Sequence, residues 1–567
     1  MISREKRGDS RTRHVRVIGA ATVLLLAIAA CGPADEDPTA AEETDPAAET
    51  APTDEESEEA IATEGECEGA HVRYGTNADD RNINPLLVTD TGGVARTEQM
   101  FDPMVRVDAE TLEPVPHLAE SWDVSDDALE YTFYLDERAR FHDGEPITAE
   151  DVAFFVESVL DPDYLGPWQP DWLILEGAQE ALDAGGERPS GLEVIDDHTV
   201  RFTLQRPSAA FVVDTLNNLK PVPKHLLEDE GALSEEHWFS LEPVGSGPYM
   251  LEEWVPGDRF VMRANYDYWG TPPCVETVSI VIIPDVDSLQ SAAEVGEIDI
   301  VDIPNVEAVP RLEEVPGLGV VERPPARPEG LFFNMSVPEL SDVRVRQAIA
   351  HAIDYDEFVE LFMLGLTDRA HSHFTPSVWA YDPDVRMPDY DLDRARELLD
   401  EAGYSDGFSL EFYTNSGNPF RADQLTYVQE QLTEINIDVE IRTSEWAVFI
   451  DDVRGGDFEV HAQASWAGTP DPDNIRVHYR TGEEQNYSEY SNPEMDDLLD
   501  RAAAEVDQDV RRELYLQVQE ILAEDLPFLP GFWRPAFVLV NDRVVNYQPS
   551  LTSAYHNMRD WRVDPDA

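Results

Sequence analysis

The chain has 567 residues, and 40 basic against 117 acidic side chains leave it with a net charge of −77. No basic face exists to grip a nucleic-acid backbone, so nucleic acid is excluded as a partner. The acid excess is spread along the whole chain, and only Lys6, Lys220 and Lys224 are lysines. This pattern reads as a solvated surface adapted to salty surroundings, where counter-ions screen its self-repulsion.

The first segment is basic, with Arg4, Lys6, Arg7, Arg11, Arg13 and Arg16. An apolar run of 14 residues follows, from Val17 to Ala30. A membrane-spanning helix needs about 20, so residues 1–30 read as an export signal. Ile28-Ala29-Ala30-Cys31 resembles the bacterial lipobox, in which Cys31 would carry a lipid and become the mature N-terminus. Residues 33–68 then hold 15 Asp or Glu and no Lys, Arg, Phe, Tyr or Trp. Such a stretch buries too little apolar surface to offset its ordering entropy, and its charges extend it. Residues 31–68 are therefore expected to be an acidic tether.

The remaining body is too long for one core, and two or three domains are expected. "HVRYGTN" (71–77) reads as a strand. "EYTFYLDE" (130–137) and "HTVRFTLQ" (198–205) alternate with period two, as half-buried strands do. "TAEDVAFFVESVLD" (148–161) is a helix, capped by Thr148 with Glu150 and Asp151 in its first turn. "VSIVIIPD" (278–285) is almost continuously apolar, which predicts a strand buried on both faces. A helix around 288–295 and the short strand "IDIVDI" follow. "DVRVRQAIAHAIDYDEFVELFM" (342–363) is one or two helices starting at Asp342. "DLDRARELLDEAG" (391–403) is a helix closed by Gly403. "SLEFYTN" and "IDVEIRT" flank a helix over 421–435, a βαβ unit with parallel strands. "VRRELYLQVQEILAED" is amphipathic, with Leu514, Val518, Ile521 and Leu522 inward and Arg511, Arg512, Glu513 and Gln517 outward.

Several of these stretches together resemble one family. "RFHDGEPITAEDVAFFVESV" (140–159), "GSGPYMLEEWVPGDRFVMRANYDYWG" (245–270), "FFNMSVPELSDVRVRQAIAHAIDYDEFVE" (332–360), "LLDEAGY" (398–404) and "SWAGTPDPDN" (465–474) are similar to motifs of the peptide/nickel-type extracytoplasmic solute-binding proteins, family 5, in the family's order. The resemblance covers about 70–567. It implies an α/β, two-lobed periplasmic-binding-protein fold with an additional α/β domain, its discontinuous lobes joined by a hinge. Lobe I would combine 69–113, 241–325 and 535–567, the extra domain would be 114–240, and lobe III 326–534. It also implies a monomer that closes on a small solute and hands it to the permease subunits of an ABC importer. The solute would be a dipeptide, an oligopeptide, an oligosaccharide or a metal chelate. The protein would sit outside the cytoplasm, anchored to the cell membrane through the lipid on Cys31. A surface lipoprotein that senses solute without uptake, or an exported hydrolase, is the alternative.

With Cys31 lipidated, Cys67 and Cys274 form an even pair in an oxidising setting. Cys67 lies five residues before Val72 and Cys274 four before Val278. If the two strands are parallel neighbours in lobe I, the cysteines sit at the same end and form a disulfide. No catalytic set or metal site stands out, and no cofactor is expected. Gly245 and Gly247 suit a tight turn, not a nucleophile elbow, and His371 with His373 is too small a set for a metal.

For solute contacts, Trp466 is the first candidate, as a stacking wall, and Trp446 the second. Asn334 would hydrogen-bond either the solute or hinge backbone. Tyr249 and Asn77 lie at lobe I strand or loop ends expected to face the cleft. In the peptide-binding members the chain resembles, an aspartate three positions after the lobe III tryptophan pairs with the peptide ammonium. Here that position is Thr469, which carries no charge. Asp471 is the nearest replacement, two residues along.

Overall fold

The structure is a computed structural model that describes residues 69–230, 234–303, 305–465, 470–483, 485–551 and 553–564. The expectations for the export signal, the tether, Cys31, Cys67, Trp466 and Thr469 lie outside these residues.

The apolar stretches of lobe I come together as a seven-stranded sheet. Its order is Leu318–Glu322, Phe537–Asn541, Ile300–Ile303, His71–Thr76, Thr277–Ile282, Arg259–Ala264 and Tyr249–Val255. His71–Thr76 is parallel to both Thr277–Ile282 and Ile300–Ile303. The register places Val72 opposite Val278, so the two strands that flank the cysteines are the parallel neighbours expected. Cys274 is disulfide-bonded. Asp299 clamps the sheet from one end. Its carboxylate accepts from the Arg73 backbone N–H and side chain (both 2.8 Å) and from Arg543 (2.7 and 2.8 Å).

Lobe III is built on a five-stranded sheet, ordered Ile437–Ser444, Phe408–Asn415, Val460–Ala464, Pro328–Phe333 and Phe528–Trp533. Phe408–Asn415 and Ile437–Ser444 run parallel over eight paired residues, with the helix Pro419–Thr433 between them in the chain. That is the βαβ unit read from the sequence. Gly403 closes the preceding helix, Leu392–Ala402, in the left-handed conformation at φ 90°, where a side chain would be strained. The run 342–363 forms two helices, Val343–Ala352 and Tyr355–Phe362, because Asp354 caps the second by accepting from Glu357 N–H.

The extra domain carries a four-stranded antiparallel sheet, ordered Ala119–Val124, Glu130–Leu135, Thr199–Thr203 and Leu192–Asp196. The helix Ala149–Val159 packs near it, started by a capping box in which Thr148 N–H donates to Asp151 at 2.8 Å. Phe133, Val152 and Phe202 share one continuous core with Val72 and Tyr249 of the lobe I sheet. The boundary expected at 113/114 falls inside a hairpin, Val105–Val107 paired with Pro114–Pro116.

Two details differ from the sequence reading. Gly245 and Gly247 do not adopt a left-handed turn. They are glycines because a Cβ would meet the backbone oxygens of Met100 at 1.9 Å and Gln99 at 2.5 Å. Arg511 does not face solvent. It is buried against Asp471, a pair described below.

Candidate functional site

The chain passes between the two large sheets twice. The first passage runs from Leu318–Glu322 to Pro328–Phe333, the second from Phe528–Trp533 to Phe537–Asn541. The passages lie side by side, with Arg323 N–H donating to Ala536 C=O at 2.8 Å and Pro328 paired with Trp533. Strand direction then fixes which sheet edges face each other. The carboxyl ends of the parallel strands, at Thr76, Ile282 and Ile303 in lobe I and at Asn415, Ser444 and Ala464 in lobe III, lie at the edges where the passages leave. Crevices at the carboxyl ends of parallel strands are where α/β sheets bind ligands.

On the lobe I edge, Asn77 is exposed just past its strand and lines a crevice with Thr76, Gln290 and Asp302. Asp302 accepts from the Tyr74 hydroxyl at 3.0 Å and lies 3.8 Å from Arg323. Its side chain is more than half exposed. On the lobe III edge, Trp446 opens the helix Trp446–Arg454 and is 45 % exposed. It lines a hollow with Ile450, Arg454 and Tyr487. Trp446 is thus a surface wall and not a core tryptophan. The strand Val460–Ala464 ends on the same edge.

The floor at the passages carries a concentration of positive charge. Arg421 Nε donates to the buried Glu329 carboxylate at 2.9 Å, and its Nη1 donates to Asn415 at 2.7 Å. Arg534 lies 3.6 Å from the other oxygen of Glu329 and rests over the Phe420 ring, with its side chain 49 % exposed. Arg327 feels the same carboxylate. Burial lowers its pKa and Glu329 raises it. Two guanidinium groups, of Arg421 and Arg534, therefore share one carboxylate, in a chain whose net charge is −77.

Three expected contacts are corrected by the geometry. Tyr249 is fully buried in lobe I, and its hydroxyl donates to Val275 C=O at 3.1 Å. Asn334 is also buried. Its amide donates to Phe458 C=O at 2.8 Å and its oxygen accepts from Ser336, so it ties a lobe III turn and meets neither solute nor hinge. Asp471 is 3 % exposed and is spent on structure. Arg511 binds both its oxygens, at 2.7 and 2.9 Å, and it caps the short turn Pro472–Ile475 by accepting from Asp473 N–H. Asp471 is not available for a solute ammonium.

The sequence reading missed Arg327, Arg421, Arg534, Glu329 and Asp302. A signal existed for Arg327 and Arg534. Arginine is scarce here relative to acid, yet "RPPARP" and "FWRPAF" place it on both passages. The histidines of "AHSHF" form no metal pair. His373 is fully buried between Tyr479 and Phe528, and burial takes its pKa down to about 3. Among the described residues there is no group of three metal-ligating side chains, and no helix is long and apolar enough to cross a membrane.

Comparison with known proteins agrees with this architecture. Residues 113–487, two thirds of the chain, match the family described as bacterial extracellular solute-binding proteins, family 5 Middle. The chain is 27 % identical over 502 residues to the dipeptide-binding protein of Escherichia coli (strain K12), covering 85 % of this chain and 93 % of that one. It is 25 % identical over 513 residues to the oligopeptide-binding protein AppA of Bacillus subtilis (strain 168), covering 87 % and 92 %. Among solved structures, the periplasmic binding protein DppA of Helicobacter pylori, in complex with the peptide STSA, superposes with a TM-score of 0.71 at 28 % identity. That match covers 87 % of this chain and 98 % of that one. The chain belongs to family 5 of the bacterial extracellular solute-binding proteins and has their two-lobed fold. It is a substrate-binding protein of the ABC-importer type.

Proposed function

We propose that this protein captures a short peptide, or another small polar solute with an acidic end, and delivers it to ABC permease subunits without chemical turnover. The carrying observation is the cleft floor, where Arg421 and Arg534 both reach the carboxylate of Glu329 and Arg327 lies within its electrostatic influence. An excess of guanidinium groups suits a carboxylate, which takes paired, charge-assisted hydrogen bonds. The relatives named for dipeptides and oligopeptides support a peptide. The loss of Asp471 to Arg511 speaks against an ammonium receptor at that position. Trp446 and Asn77 suit the side walls. Binding without turnover is supported by "GSGPY", where Ser246 is fully buried and its Oγ accepts from Asp102 N–H at 2.8 Å. The lipid on Cys31 would hold the protein on the outer side of the membrane, as a monomer.

Calorimetry with a set of di- to pentapeptides and their C-terminal amides tests the reading. The free acids are expected to bind at least about tenfold more tightly than the amides, as loss of one buried charge-assisted contact implies. Arg534→Ala is expected to erase that difference while the amides bind as before. Equal binding of acids and amides would remove the acidic-end requirement. Binding of sugars alone would remove the peptide.

We also propose Cys67 as the disulfide partner of Cys274. Closing a loop of about 200 residues contributes on the order of 4–5 kcal/mol in the chain-entropy view. Peptide mapping without reduction is expected to join the two cysteine-bearing fragments, and two free thiols would refute it.

A further inference from the structure

A second polar pocket lies away from the cleft floor. It is enclosed by the helix Thr91–Met100, the strand Val105–Val107, the turn that follows Phe211–Leu216, and the stretch 553–556 near the C-terminus. Its volume is about 70 Å³, and Glu98, Arg106, Asn217, Lys220, Ser553 and His556 line it. Lys220 is one of two lysines past the acidic segment, and it is only 5 % exposed. Among the described residues, no hydrogen bond engages its ammonium and no carboxylate comes within 4 Å of it.

The surrounding charges do not settle that ammonium. Glu98 is the nearest acidic influence, yet burial pushes its own carboxyl upward, with Lys220 and the Ser553 hydroxyl opposing. Arg106 adds a second cation. Its partner Asp102, at 3.6 Å, is already held by His117 (2.6 Å), Tyr268 (2.8 Å) and Trp269 (2.9 Å). Burial and the neighbouring Arg106 lower the pKa of His556, leaving a neutral ring with one N–H to donate. Asn217 and Ser553 add an amide and a hydroxyl.

We propose that this pocket holds one small inorganic anion of chloride size. Burial lowers the Lys220 pKa, with Arg106 adding to this and Glu98 opposing it. An ammonium buried with no hydrogen-bonded counter-charge is costly, and a water molecule would satisfy its hydrogen bonds but not its charge. An anion supplies both. The volume admits a small anion together with several waters. The bound ion bridges a helix near residue 98 to a segment near residue 553, so it fastens the C-terminal stretch to lobe I. The site does not depend on which solute the cleft takes.

Crystals of the protein soaked in bromide test this directly. An anomalous peak is expected within hydrogen-bond reach of Lys220 Nζ and the Arg106 guanidinium. In solution, replacing gluconate by chloride at constant ionic strength is expected to raise the Tm progressively, by mass action. The chloride response is expected to vanish in Lys220→Met, and Arg106→Gln serves as the second variant if the first does not fold. Water alone in the pocket, bromide only at the outer surface as an adventitious ion only, or an unchanged chloride response in the variants overturns the proposal.

Discussion

Arg511→Met is expected to lower the Tm by about 3–5 °C, from a loss of about 3–5 kcal/mol. Arg511 binds both oxygens of Asp471, its Nε donates to Ala502 C=O at 3.1 Å, and its guanidinium lies 5.3 Å from the Trp379 ring. Both partners are almost sealed from water. Removing the cation alone leaves the Asp471 carboxylate buried without its guanidinium. Asp473 and Asp214 lie nearby, and burial together with Asp471 and Asp473 already holds the Asp214 carboxyl well above the usual carboxylate range. Removing both charges, with Asp471→Asn added to Arg511→Met, is expected to recover most of the loss, because a neutral amide is far cheaper to bury than an unpaired carboxylate. The same pair separates structure from recognition. If Asp471 received a solute ammonium, Asp471→Asn would change the preference for a free-amine peptide over its N-acetylated form. The expected result is a lower Tm with that preference unchanged.

The pair also shows where sequence reading stops. Charge alone put Arg511 on the polar face of its helix, although helical spacing sets it on the buried stripe with Leu514 three and Val518 seven residues on. The contact 40 residues away with Asp471 is what no local pattern encodes. Periodicity succeeded where burial is continuous along a strand, as for "VSIVIIPD", or where a cap is local, as at Thr148 and Gly403. The βαβ unit and the parallel neighbours around the cysteines were legible because crossover handedness and strand alternation are short-range rules. The site was less legible. Tyr249 and Asn334 are polar residues at strand ends, and such a residue serves backbone hydrogen bonds as readily as a ligand. Of the floor arginines, Arg327 and Arg534 lie on the two passages and Arg421 on the helix Pro419–Thr433, so only the tertiary fold brings them near one carboxylate.

Asp299→Asn is expected to destabilise lobe I by about 3 kcal/mol at neutral pH, and the penalty should disappear in acid. Asp299 is fully buried as a side chain, whereas Arg73 and Arg543 are roughly a quarter to a third exposed, so solvent screens part of each pair. Burial by itself raises the carboxyl pKa. The hydrogen bonds from Arg543 and Arg73 outweigh it, and the net result lies below the ordinary 3.8. A carboxyl depressed in the folded state stabilises the fold above its unfolded pKa, and that contribution is lost as the pH falls through the folded value. The gap in Tm between the protein and the Asn variant is therefore expected to stay constant from pH 8 to about pH 5, then narrow below pH 4 as the native carboxyl takes its proton. The amide keeps the shape but accepts through one oxygen only, so two guanidinium groups compete for what the carboxylate served twice. The return strand Phe537–Asn541 loses its hold at Arg543, and the edge strand Leu318–Glu322 pairs only with that strand. Deuterium exchange is expected to quicken first in those two strands. If the gap is the same at pH 8 and pH 3, the cost lies in packing and not in the ionised clamp.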